Sequence, residues 1–161
     1  MLLFLRSLFW TVVMPGMLTG VIPWFYFGLR EATIDWSDPL QWVALISIGL
    51  GIALLVACII EFARRGRGTL SPVDPPRQLV VRGLYRYVRN PMYLAVTMIL
   101  LGEALLLRSS DLVVYWAGFF IAANLFIIGY EEPYLRRHFG DSYAEYTRTV
   151  GRWIPRFPSN L

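Results

Sequence analysis

Apolar residues in this chain fall in long runs, not in the every-third-or-fourth rhythm of a helix lying on a soluble core. Four runs stand out, at 8–29, 40–63, 93–107 and 112–130. A helix rises about 1.5 Å per residue, so roughly 20 apolar residues cross a hydrocarbon layer about 30 Å thick. The run at 40–63 is long enough outright. The run at 93–107 reaches that length only if its helix begins at Pro91, a position the first turn tolerates. The run at 8–29 carries Pro15 and Pro23, and Arg6 ahead of it is not followed by a small-residue cleavage pattern, so no cleaved leader is expected. These lengths predict an all-α fold: an integral membrane bundle of about four transmembrane helices (8–29, 40–63, 91–107, 112–130) in one domain, 1–161.

The connections sharpen this picture through their charge. Arg64, Arg65, Arg67, Arg77, Arg82, Arg86 and Arg89 lie between the second and third runs, against Asp74 alone. The first connection is acidic, with Glu31, Asp35 and Asp38 against Arg30, and the third is only a turn at 108–111. Basic connections stay on the cytoplasmic side, which predicts both termini and the 64–90 segment inside, in a bacterial inner membrane. Gly66, Gly68, Ser71, Pro72, Pro75 and Pro76 make the start of that segment irregular, and 78–81 is a short apolar patch. Residues 131–150 are too charged to cross and predict a cytoplasmic helix broken at Phe139-Gly140, followed by a Pro-rich tail.

Composition agrees. The chain is 57% hydrophobic and only 16% charged, with a mean hydropathy of +0.52. A small soluble domain of that make-up would leave large apolar patches in water. All 15 basic residues are Arg, and their clustering beside apolar runs points to membrane topology and not to nucleic acid. One Cys58 and one His138 offer neither a disulfide framework nor a metal site.

Few residues invite a chemical reading. Glu131 and Glu132 sit where the fourth run ends, either solvated at the interface or binding a ligand ammonium or ribose. Glu103 lies ten residues into the third run, facing the bundle interior or snorkelling to the far surface. Asn124 fits an interhelical hydrogen bond. Tyr85, Tyr87 and Tyr93 with Arg86 and Arg89 match an interfacial belt.

Their order carries more. The string GLYRYVRNPMY at 83–93, then Gly102-Glu103, Glu131-Glu132, Phe139-Gly140, Tyr143, Tyr146, Val150 and Trp153-Ile154-Pro155, resembles the isoprenylcysteine carboxyl methyltransferase and phospholipid methyltransferase superfamily over roughly residues 78–155. The resemblance implies methyl transfer from S-adenosylmethionine to a lipophilic acceptor, with S-adenosylhomocysteine as product and membrane lipids as partners. The donor would lie in a cytoplasmic cofactor region made of 64–90 and 131–161. It further implies that Gln78, Leu79, Val80 and Tyr85 line the donor, that Asn90, Pro91, Met92 and Tyr93 hold it, and that Glu131 contacts it. Glu103 and Glu132 are the candidates for a catalytic base toward an amine acceptor. Two departures stand out: Asn90 replaces the His of many carboxyl-methylating members, and Ile127 takes the place of their substrate-binding Arg, which argues against esterification of a prenylated cysteine.

Two rival readings remain at this point. One is an NADPH-dependent membrane reductase of related fold. The other is a non-enzymatic scaffold or anchor whose arginines grip anionic headgroups at about 1 kcal/mol each.

Overall fold

The computed structural model describes residues 13–65, 79 and 81–156, without the side chains of 62–65. Gln78 and Val80, and residues 8–12 of the first run, therefore lie outside the described residues. The chain is mostly helical and forms no strand among the described residues. In order come a π-helical turn Met17–Val21 running into α1 (Ile22–Tyr26), then α2 (Pro39–Arg65), α3 (Pro91–Leu107) and α4 (Ser110–Phe126). A second π-helical turn (Ile127–Glu131) then leads into α5 (Glu132–Thr149).

The first run ends its helix earlier, and is less regular, than its hydropathy predicts. Its helix stops at Tyr26, and Gly28 turns the chain with φ 75°, a left-handed conformation that suits glycine. The widened turn ahead of α1 has a local cause. Ile22 N–H donates back five residues to the Met17 carbonyl, and in that register the Leu18 carbonyl would need an N–H that Pro23 lacks. The Tyr115 hydroxyl from α4 donates to Leu18 O instead, at 3.2 Å.

Asp38 starts α2 by accepting from Leu40 N–H with its side chain at 3.0 Å, just ahead of Pro39. At the far end of α3 the chain reverses through Arg108 (φ 50°), and Ser109 caps α4 by accepting from Leu112 N–H at 3.2 Å. This is the tight turn expected at 108–111. Helices α2 and α3 pack antiparallel at backbone distance. A Cβ on Gly102 would lie 2.6 Å from Ile48 Cγ1 and 2.8 Å from the Ala44 carbonyl, and one on Gly51 would lie 2.7 Å from Ile99 Cγ1. Ser47 Oγ adds a hydrogen bond to Met98 O at 2.9 Å. Small residues at such a crossing let helices approach where no hydrophobic effect drives them together.

Among the described residues two helices are long and apolar enough to cross a membrane, Pro39–Glu61 and the continuous stretch that begins at Ser110, while Pro91–Leu107 is apolar but only 17 residues long. The outer face of α2 presents Val43, Ile46 and Leu50 uncovered, and α4 presents Val114, Ile121 and Leu125. Continuous apolar faces of this kind belong in lipid. The polar part past Tyr130 does not. It bends at Gly140 (φ 52°, ψ −126°), where the sequence predicts a break. Residues 150–156 then fold back, forming an isolated parallel bridge between Gly151 and Val88.

Candidate functional site

The site is built where α3 begins and α4 ends. Asn90, buried and ahead of Pro91, starts α3 without a side-chain cap of its own. Its amide instead donates to the Arg152 carbonyl at 3.4 Å. Tyr93, one turn into α3, donates its hydroxyl to Glu131 Oε2 at 3.3 Å. Two segments that the sequence keeps 38 positions apart thus meet, in a way that composition alone does not require.

Glu132 has a different environment. Arg152 grips both its oxygens, Nε to Oε1 and Nη2 to Oε2, each at 2.8 Å. Arg89 Nη1 stands 3.1 Å from Oε1. Burial alone would raise the Glu132 carboxyl, but the Arg152 hydrogen bonds and the charges of Arg89, Arg152 and Arg136 outweigh it and hold the group below the ordinary carboxylate range. Its neighbour goes the other way. Burial raises the Glu131 carboxyl, with help from the Glu132 charge and against the hydrogen bond from Tyr93.

The tail and the preceding loop close around this pair. Arg89 N–H donates to Gly151 O at 2.8 Å, and Arg156 N–H donates to Tyr87 O at 2.9 Å. The Tyr146 hydroxyl donates to the Tyr85 carbonyl at 2.6 Å, which ties the 3₁₀ turn Gly83–Arg86 to α5. Tyr143, Tyr146 and Val150 form a small core that also packs Leu79, Leu135 and Phe139. Burial, followed by the nearby Cys58, Glu131, Tyr146 and Tyr93, pushes the Tyr85 phenol well above its ordinary range. Gly83 (φ 59°) lies against Glu61 at the end of α2, where a Cβ would come within 3.1 Å of that carboxyl group. Trp153 donates its indole N–H to Asn124 Oδ1 at 3.1 Å and packs on Phe120, with ring centroids 5.1 Å apart. Asn124 therefore bonds the tail and its own helix, not a neighbouring helix.

Among the residues singled out from sequence, Leu79, Tyr85, Asn90, Pro91, Met92, Tyr93 and Glu131 share this end of the bundle. The two candidate bases fare differently. Glu103 is buried in α3, ten residues or about 15 Å along the helix from Tyr93. The fully buried Val96 and Leu100 fill part of the face between them. The bundle interior, not the far surface, holds it. Glu132 is close enough, yet two guanidiniums occupy its lone pairs, and a carboxylate so stabilised is a poor base. Sequence reasoning named Arg89 and Tyr146 without giving either a partner, and it passed over Arg152. Val150 and Trp153 flank Arg152 in the quoted motif, but nothing in the chain pairs that arginine with Glu132.

A family model described as phospholipid methyltransferase matches residues 40–142. An uncharacterized protein of Haemophilus influenzae is 41% identical over 66 residues, which make up 39% of this chain and all of that relative. The protein-S-isoprenylcysteine O-methyltransferase of Schizosaccharomyces pombe is 36% identical over 90 residues, half of this chain but only 34% of the yeast protein. With the family match covering well over half of the chain, including Asn90, Tyr93, Glu131 and Glu132, the protein belongs to the phospholipid methyltransferase family.

Proposed function

We propose that this protein transfers a methyl group from S-adenosylmethionine to a lipophilic acceptor that reaches the site from the bilayer. The carrying observation is the meeting of Tyr93 and Glu131 beside the start of α3, at one end of an apolar bundle. Bound there, the donor supplies an activated methyl on a sulfonium sulfur. The residues present suit such a ligand. Tyrosine rings offer faces to a cation, Glu131 offers a carboxylate to an ammonium, and Leu79 with the Tyr143–Tyr146 core offers an apolar surface to an adenine. Backbone N–H groups of the first turn of α3 have no side-chain cap and remain available to polar atoms. Their part is to hold donor and acceptor in line, which by itself removes much of a displacement barrier.

In this reading the chain crosses the membrane about four times, as one domain, with both termini and the site on the cytoplasmic side, because the arginine-rich 64–90 connection favours that side. Ile127, one turn before Glu131 and fully buried, supplies no cation to clamp an acceptor carboxylate. This favours an amine or another uncharged nucleophile, as on a phospholipid headgroup, over the protein S-isoprenylcysteine named for the yeast relative.

The test is incubation of the purified protein with methyl-labelled S-adenosylmethionine and a membrane lipid extract, with the labelled species then identified. Label in an amine-bearing lipid is expected. No incorporation, together with no saturable binding of S-adenosylhomocysteine by calorimetry in detergent, removes the proposal.

A further inference from the structure

Arg89 carries a feature that fold stability does not explain. Its side chain is only 13% exposed, and its Nε–H is buried with no acceptor among the described residues. A guanidinium presents five N–H donors, and leaving one of them dry is costly. Nη1 goes to Glu132, and the Tyr143 hydroxyl is in hydrogen-bonding contact with the same guanidinium.

Charge adds a second, independent observation. Arg152 already satisfies both oxygens of Glu132, so Arg89 and Arg152 share a single carboxylate, and the charge of Arg136 also falls on it. One positive charge is left over in a place largely closed to water. Glu131 cancels it only when ionised, which burial opposes until a cation stands beside that carboxyl, and Tyr93 occupies one of its oxygens. The start of α3, two residues beyond Arg89, adds the positive end of a 17-residue helix without a side-chain cap. An orphaned donor, a surplus cation and an uncapped helix start all call for the same thing: a compact anion.

We infer that Arg89 binds the α-carboxylate of the amino-acid head of S-adenosylmethionine, while Glu131 receives its ammonium. The inference rests on the function proposed above and names the binding residue for the one anionic group of that donor. Carboxylate suits the position because a guanidinium recognises it through paired N–H bonds that an ammonium side chain does not reproduce. Consecutive Glu131 and Glu132 place the ammonium partner and the anchor of Arg89 side by side.

The test uses two ligands on the full chain in detergent, S-adenosylhomocysteine and its analogue lacking the α-carboxylate, both measured by calorimetry. Wild type is expected to bind the first at least tenfold more tightly. Arg89→Met should lose that preference by weakening S-adenosylhomocysteine alone, and Arg89→Lys, which keeps the charge but not the Nε–H, should fall between. Equal weakening of both ligands by Arg89→Met, or no preference in wild type, overturns the assignment while leaving donor binding intact. Binding of neither ligand by wild type overturns the proposed function and this inference together. If Arg89→Met does not fold, the wild-type preference and the Arg89→Lys variant decide the matter.

Discussion

The two ends of the bundle each join an arginine to a carboxylate, and they do so to different effect. At one end Arg108, reversing the chain after α3, pairs with Asp38, which also starts α2. Its guanidinium side is 64% exposed, and the surrounding contacts are local: Asp35 with Ser37 and Gln41, and Trp36 with Trp42. At the other end Glu132 sits between Arg89 and Arg152, with all three partners mostly covered and drawn from distant parts of the chain. Exposed pairs contribute about 0–1 kcal/mol, whereas breaking a covered one strands a charge. The first end closes turns. The second spends stability on holding charged groups in place, as binding sites do.

Substitutions should separate the two ends. Gly102→Val should be felt at both ends, because it pushes α2 from α3 at their closest approach. A loss of about 3 kcal/mol is expected, at the upper end of overpacking costs, as a drop in thermal midpoint in detergent. Arg152→Ala should act at one end only. It removes the bidentate grip on Glu132, costs about 2 kcal/mol, and exposes residues 150–156 to proteolysis while the α2–α3 packing survives.

Acid distinguishes the ends as well. The folded-state value for Glu132 is depressed, so its stabilisation is complete above the unfolded value of about 4.3 and is lost as pH falls through the lower folded value. Wild type should therefore lose stability on acidification below about pH 4.3 more steeply than Glu132→Gln, as read by melting against pH.

Glu131→Gln tests function against stability. Because the folded-state value is raised, ionised Glu131 opposes folding near neutral pH, and the neutral amide should melt slightly higher. S-adenosylhomocysteine affinity should nevertheless fall about tenfold, or about 1.4 kcal/mol. The smallest effect belongs to Arg108→Ala, less than about 0.5 kcal/mol and with no change in ligand affinity. A loss of affinity there as large as for Glu131→Gln would erase the distinction between the ends.

Much of the helical plan was legible from the sequence, for reasons particular residues show. Asn90-Pro91 marks a helix start because proline lacks an N–H only where none is needed, and α3 begins there. Gly140 marks a break, and the backbone turns at that residue. The first run was harder. Its hydropathy does not reveal that Pro23 vacates a carbonyl or that Tyr115 fills it. The site was legible as a motif at Tyr93 and Glu131, but not in its wiring. Glu132 reads as a free carboxylate until Arg152, 20 positions on, is folded against it. Glu103 reads as a buried carboxylate, and only the helix rise shows how far it stands from Tyr93. Long-range pairing leaves no periodic trace in a chain, so spacing rules do not recover it.

The bridge between Val88 and Gly151 also orders events during synthesis. Asn90 waits for Arg152 across 62 positions, so this contact closes after α2, α3 and α4 have been synthesised. The local turns between those helices can form without it, whereas the grip of Arg152 on Glu132 closes last. A chain truncated before Gly151 should keep the α2–α3 crossing while lacking the partners of Arg89 N–H, Asn90 and Glu132.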